Sequence, residues 1–86
     1  MEVPLENRRI YIERRRSDLK TCLSCLAKKD FTQLARIGHQ FKGNASTFGF
    51  PELSQIGREL EQNAKFSDSE KILLSIKKFE EWLKKH

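Results

Sequence analysis

Residues 35–49 read ARIGHQFKGNASTFG, and together with Leu34 they decide the fold. Leu34, Gly38, Phe41, Ala45 and Phe48 recur at alternating spacings of four and three, the pattern of a helix laid along a bundle. At about 100° per residue this stripe clusters on one side, and His39 lies roughly 140° from its centre. Arg36, Gly43 and Ser46 share the side of His39, and Lys42 lies on its flank. The helix is expected from Phe31 to about Thr47. Asp30 is its N-cap, and Gln33 three residues on completes a capping box. Gly49 ends it by taking a left-handed conformation.

Outward from this helix the same reading gives three more. Pro51 suits the opening turn of a helix that runs to about Lys65, with Leu53, Ile56, Gly57, Leu60 and Ala64 on its inner face. Ser67 and Glu70 form an S-x-x-E box ahead of a last helix whose inward residues are Ile72, Ile76, Phe79 and Leu83, flanked by Leu73 and Trp82. Upstream, a helix from Pro4 or Leu5 to about Lys28 carries Ile12, Leu19, Leu23 and Leu26 at helical spacing. Arg8, Arg9, Arg14, Arg15 and Arg16 crowd its first half, where the pattern also leaves room for a break between a short opening helix and a longer second one. Short connections make successive helices antiparallel neighbours. The expected architecture is therefore all-α, an up-down four-helix bundle, with a short extra N-terminal helix as the variant. No internal repeat or linker divides the 86 residues, so one domain over 1–86 is expected.

Composition narrows the class. The chain is 37% hydrophobic and 34% charged, too apolar for a disordered tail and too charged for a membrane protein. No apolar run approaches the roughly 20 residues that span a bilayer, and MEVPLENRR is unlike a signal peptide. A cytoplasmic protein is expected. Met1 and the short ends point to a stand-alone chain rather than a module cut from a larger kinase. Cys22 and Cys25 form a C-x-x-C, but within a helical pattern and without a second such pair. His39 and His86 are the only histidines, so no metal site is expected. Two small residues near a helix interface are the plainer reading. The net charge of +5 is compatible with nucleic acid, an anionic membrane or an acidic protein partner. It is spread widely, as on an ordinary solvated surface.

The chemistry gathers around His39. A histidine projecting to solvent has lysine at i+3 and glycine at i+4, the adjacent positions on a helix surface. Mid-helix glycine costs about 1 kcal/mol relative to alanine. On an outward face Gly43 makes sense where something large must approach His39. Lys42 puts a positive charge within reach of an anion on the ring and would stabilise a phosphoryl group, bound or in transit. Neutral imidazole is available at cellular pH and can form covalent intermediates. The other ring nitrogen is expected to donate the hydrogen bond that fixes the tautomer. There is no phosphate loop ending in Lys-Ser or Lys-Thr, and no H-E-x-x-H or G-x-S-x-G, so a kinase or hydrolase in its own right is not expected.

The run His39-Gln40-Phe41-Lys42-Gly43-Asn44-Ala45, followed by Phe48-Gly49, resembles the signature of the histidine phosphotransfer (HPt) family. The resemblance extends through Leu53 and the Leu60-Glu61 pair and covers Leu19 to Ala64. It implies a four-helix bundle without a nucleotide site. In such a protein the histidine takes a phosphoryl group from the aspartate of one receiver domain and gives it to another. By resemblance His39 matches the phosphoacceptor, Lys42 the lysine that supports the phosphoryl group, and Gly43 the glycine that leaves room for the receiver. Glu61 falls where the family often has a Glu or Gln that orients the imidazole. The partners implied are receivers of response regulators or hybrid kinases. No cofactor is implied on this chain, the Mg2+ being on the receiver, and the carrier is expected to be a monomer. Arg36, Gln40, Ser46 and Phe50 are docking candidates; solvent exposure accounts equally well for the polar ones. Phe48 belongs to the core by its place in the stripe.

Two other readings stand beside this one. A receiver- or kinase-binding scaffold would carry no phosphate, yet His39, Lys42 and Gly43 are all present. A basic nucleic-acid-binding bundle uses the Arg8–Arg16 cluster and predicts affinity that falls steeply with salt, but leaves Lys42 and Gly43 unexplained.

Overall fold

The computed structural model describes residues 4–86; Met1, on which the stand-alone reading leans, lies outside them. The described residues form four helices and no strand: α1 (Leu5–Lys28), α2 (Phe31–Asn44), α3 (Pro51–Lys65) and α4 (Ser69–Lys84). Each packs on its neighbours in the chain, and α4 closes back on α1. This is the four-helix bundle that the apolar periodicity predicts. Its radius of gyration is 12.3 Å, close to the ~12 Å of a compact chain of this length.

α1 is continuous over 24 residues, so the arginine-rich stretch contains no break. The reason is local pairing: Arg9 meets Glu6, Arg15 meets Asp18 and Arg16 meets Glu13, all at i,i+3 spacing, which supports a helix rather than interrupting it. Leu23, expected inside, is exposed. Cys22 and Cys25 take that side instead, buried as free thiols. Burial pushes the Cys22 thiol up to about 12, with Asp18 and Cys25 adding to the rise. A thiol so far from ionising is not a nucleophile at neutral pH.

The connections differ from the sequence reading in two places. α2 ends at Asn44 rather than near Thr47. Residues 45–49 form a tighter turn in which Gly49, at φ +88°, donates to Ser46 O while Phe50 N–H reaches back to Ala45 O. Ser67 is not the cap of α4. It adopts φ +53°, donates to Ala64 O and closes α3, while Asp68 N–H reaches Asn63 O. These two bonds make the Schellman arrangement. The cap passes to Asp68, whose carboxylate accepts from Lys71 N–H. At the start of α2, Asp30 caps as expected and accepts from Gln33 N–H.

The core runs the length of the bundle through Leu34, Phe41, Leu53, Leu60, Ile72, Ile76, Phe79 and Trp82, all fully or nearly fully buried. Trp82, read from the sequence as flanking, is one of the largest buried side chains. One end is closed by aromatic rings: Tyr11 stacks on Phe48 at 4.4 Å between centroids, and Phe50 meets Trp82 edge-on at 5.2 Å.

Candidate functional site

α2 buries Leu34, Ile37, Gly38 and Phe41 and turns His39 outward, its side chain 67% exposed. What lies beside the ring is decided by how closely α3 approaches. A Cβ on Gly38 would sit 2.6 Å from Glu61 N, and one on Gly57 would sit 2.5 Å from the Cβ of Phe41 and 2.7 Å from Lys42 N. Only two glycines facing each other let the backbones come so near. Ser54 fixes the register by donating its hydroxyl to Lys42 O at 2.8 Å.

This approach brings Glu61 to His39. The Glu61 side chain is only 11% exposed, and its carboxylate gathers three cationic or polar partners. Oε1 pairs with Lys42 Nζ at 2.8 Å; Oε2 meets His39 Nδ1 at 3.0 Å and Lys65 Nζ at 3.7 Å. The hydrogen bond from Lys42 holds the carboxyl below the usual carboxylate range. Burial opposes this, while the His39 bond and the charges of Lys42 and Lys65 add to it. An ionised carboxylate only accepts hydrogen bonds, so Nδ1 must carry the proton. In its neutral form the ring then presents the lone pair of Nε2 on its exposed side.

The surroundings of the ring are open on one side. A Cβ on Gly43 would meet nothing within 4 Å. Arg36, Gln40 and Ser46 are exposed on and beyond the same helix, Arg36 reaching Gln33 Oε1 at 3.5 Å. The geometry thus brings His39, Lys42 and Glu61 into one group, with Gly43 as clear space beside it.

The Hpt domain family model matches residues 6–84, nearly the whole chain. The chain belongs to the Hpt domain family. This family serves histidine phosphotransfer in phosphorelay signalling and works with receiver domains. No curated protein and no solved structure matches the chain significantly.

One docking candidate of this Hpt domain needs correction. Phe50 is buried, 9% exposed, and not a surface aromatic. The early end of α2 and the left-handed Gly49 swing it inward, where its ring lies 5.8 Å from Tyr11 and 5.2 Å from Trp82. The sequence reading also missed four contributors. Lys65 is legible as an i,i+4 partner of Glu61, but the Gly38–Gly57 contact and Ser54 have no local signature, because each acts across helices. Tyr11 was missed for the same reason: its hydroxyl donates to Asn44 Oδ1 at 2.6 Å, next to Gly43. Among the described residues no cluster of three or more His, Cys, Asp or Glu side chains could hold a metal, and no helix is long and apolar enough to cross a membrane.

Proposed function

We propose that His39 is the phosphoacceptor of a phosphorelay carrier, taking its phosphoryl group from a receiver aspartate and delivering it to a second receiver. The observation that carries this reading is the ring held at Nδ1 by buried Glu61, with Nε2 free beside the clear space at Gly43. Nε2 attacks phosphorus with its lone pair. The N–P bond forms as the aspartyl O–P bond breaks, and the electron pair leaves with the aspartate carboxylate. The proton stays on Nδ1, where Glu61 offsets the positive charge the ring acquires. Lys42 turns its ammonium from Glu61 to the phosphoryl oxygens. Gly43 lets the receiver surface close over the ring, and exposed Arg36, Gln40 and Ser46 line its approach.

Transfer needs no cofactor on this chain; the Mg2+ belongs to the receiver. The carrier is a cytoplasmic monomer that docks transiently. Local pairing of Arg9, Arg15 and Arg16 with carboxylates lowers the charge that a nucleic acid would meet and supports a protein partner. The test is incubation with a panel of phosphorylated receivers beside His39→Gln. Label that is stable in base, labile in acid and absent from the variant is expected. No label on a folded wild-type chain leaves the scaffold reading.

A further inference from the structure

Glu61 is asked to do two things with one carboxylate. It must stay ionised while largely buried, and it must keep facing His39 Nδ1. In the resting chain Lys42 serves the first need, since its hydrogen bond is the largest influence holding the carboxyl low. Nζ of Lys42 is engaged on Glu61 Oε1 at 2.8 Å, whereas a phosphoryl group would stand on Nε2, the ring nitrogen that faces away from Glu61, so neutralising it draws Lys42 from the carboxylate. When Lys42 leaves, a buried carboxylate near a new dianion would be pushed towards its neutral form by burial and like charge. Lys65 is placed to prevent this. It lies one turn after Glu61 on α3, with Nζ 3.7 Å from Oε2, the oxygen that His39 uses, and its side chain is 64% exposed and free to close the gap. The groups facing the carboxylate are His39 and Lys42 from α2 and Lys65 from α3; among the described residues α1 and α4 contribute no ion pair to it.

We propose that Lys65 is a positioning residue that takes over the Glu61 carboxylate when Lys42 turns to the phosphoryl group, keeping Nδ1 protonated so that the phosphoryl group remains transferable. The inference rests on the reading of His39 as phosphoacceptor. A protonated ring leaves as neutral imidazole, whereas a ring stripped of its Nδ1 proton is the poorer leaving group and holds its phosphoryl group longer.

Two measurements on the full chain test it. The first is the Glu61 carboxyl titration by carbon NMR in unphosphorylated wild type, Lys42→Gln, Lys65→Gln and the double variant. Lys65→Gln alone is expected to move the midpoint little. In the Lys42→Gln background, which mimics departure of Lys42, it is expected to raise the midpoint by about half a unit or more. The second is the neutral-pH lifetime of His39 phosphorylated with phosphoramidate. Lys65→Gln is expected to lengthen it about threefold, the change that a half-unit weaker hold of the ring on its Nδ1 proton produces once the carboxylate is no longer kept against it, and Lys65→Arg to restore it. An ordinary surface lysine predicts the opposite sign, because removing a nearby cation favours the protonated, labile ring. An unchanged or shorter lifetime, or additive shifts in the titration, overturns the role of Lys65 alone. Failure of phosphoramidate to label the wild-type His39 overturns the phosphoacceptor reading and the inference with it.

Discussion

A methyl group added at Gly43 would meet nothing within 4 Å, whereas the Glu61 side chain, one helix away, is largely buried and held by ion pairs. The two residues therefore respond differently to change. Gly43→Ala should stabilise the fold by about 0.5–1 kcal/mol through helix propensity. The same substitution should slow transfer from a receiver by about tenfold or more, since small displacements at a reacting centre are costly, while labelling by phosphoramidate persists. Chemical denaturation and the two labelling assays together check this. Glu61 carries a pH signature. Its carboxyl is held below the usual range, with the Lys42 hydrogen bond first and burial opposing. Its contribution to stability is therefore complete above the unfolded-state value of about 4.3 and is lost as pH falls through the depressed folded value. Glu61→Gln should flatten the acid limb of a stability-versus-pH profile below about pH 5 relative to wild type. An unaltered acid limb would count against the ion-paired carboxylate.

At the scale of elements, the bundle is joined by turns that two non-glycine residues make at a cost. Lys29 at φ +58° and Ser67 at φ +53° both hold the left-handed position, which L-residues enter at a cost of about 1 kcal/mol or more. Lys29 N–H reaches Leu26 O and Asp30 N–H reaches Cys25 O, the same arrangement that closes α3. Lys29→Gly and Ser67→Gly should each stabilise the domain by about 0.5–1 kcal/mol, read as a higher midpoint at unchanged m-value. Helix pairing is less forgiving. Gly57→Ala places a methyl 2.7 Å from Gly38 O and must push α3 from α2. A loss of about 1–3 kcal/mol is expected, with a weaker His39–Glu61 contact visible in the ring nitrogen shifts. The sequence showed the four helices because their apolar spacing is local. It did not show that Gly38 and Gly57 face each other, because periodicity gives the face of a residue but not its partner.

Over the whole molecule, the cluster of Tyr11, Phe48, Phe50 and Trp82 ties α1, the α2–α3 turn and α4 together at one end. Two arginines join it rather than face solvent: Arg15 lies over Tyr11 at 4.5 Å and Arg8 over Phe50 at 6.0 Å. Phe50→Ala should cost about 3–5 kcal/mol, a large part of the roughly 4–13 kcal/mol available to a domain of this size. Under conditions where the variant stays folded, phosphoramidate labelling of His39 should continue. Loss of labelling in a folded variant would return Phe50 to the site.

Sequence alone determined the all-helical bundle, the outward histidine and the open glycine beside it. Each follows from spacing along one helix, a relation between neighbours in the chain. Tertiary structure decided which groups meet that histidine. Glu61 lies 22 positions from His39 and reaches it only because two glycines bring α2 and α3 into backbone contact. Tertiary structure also buried Phe50, which a left-handed turn redirects towards Trp82. Hydrophobic periodicity carries no information about such meetings between helices. Packing does, because a side chain as small as hydrogen or as large as an indole fixes how near two helices can lie.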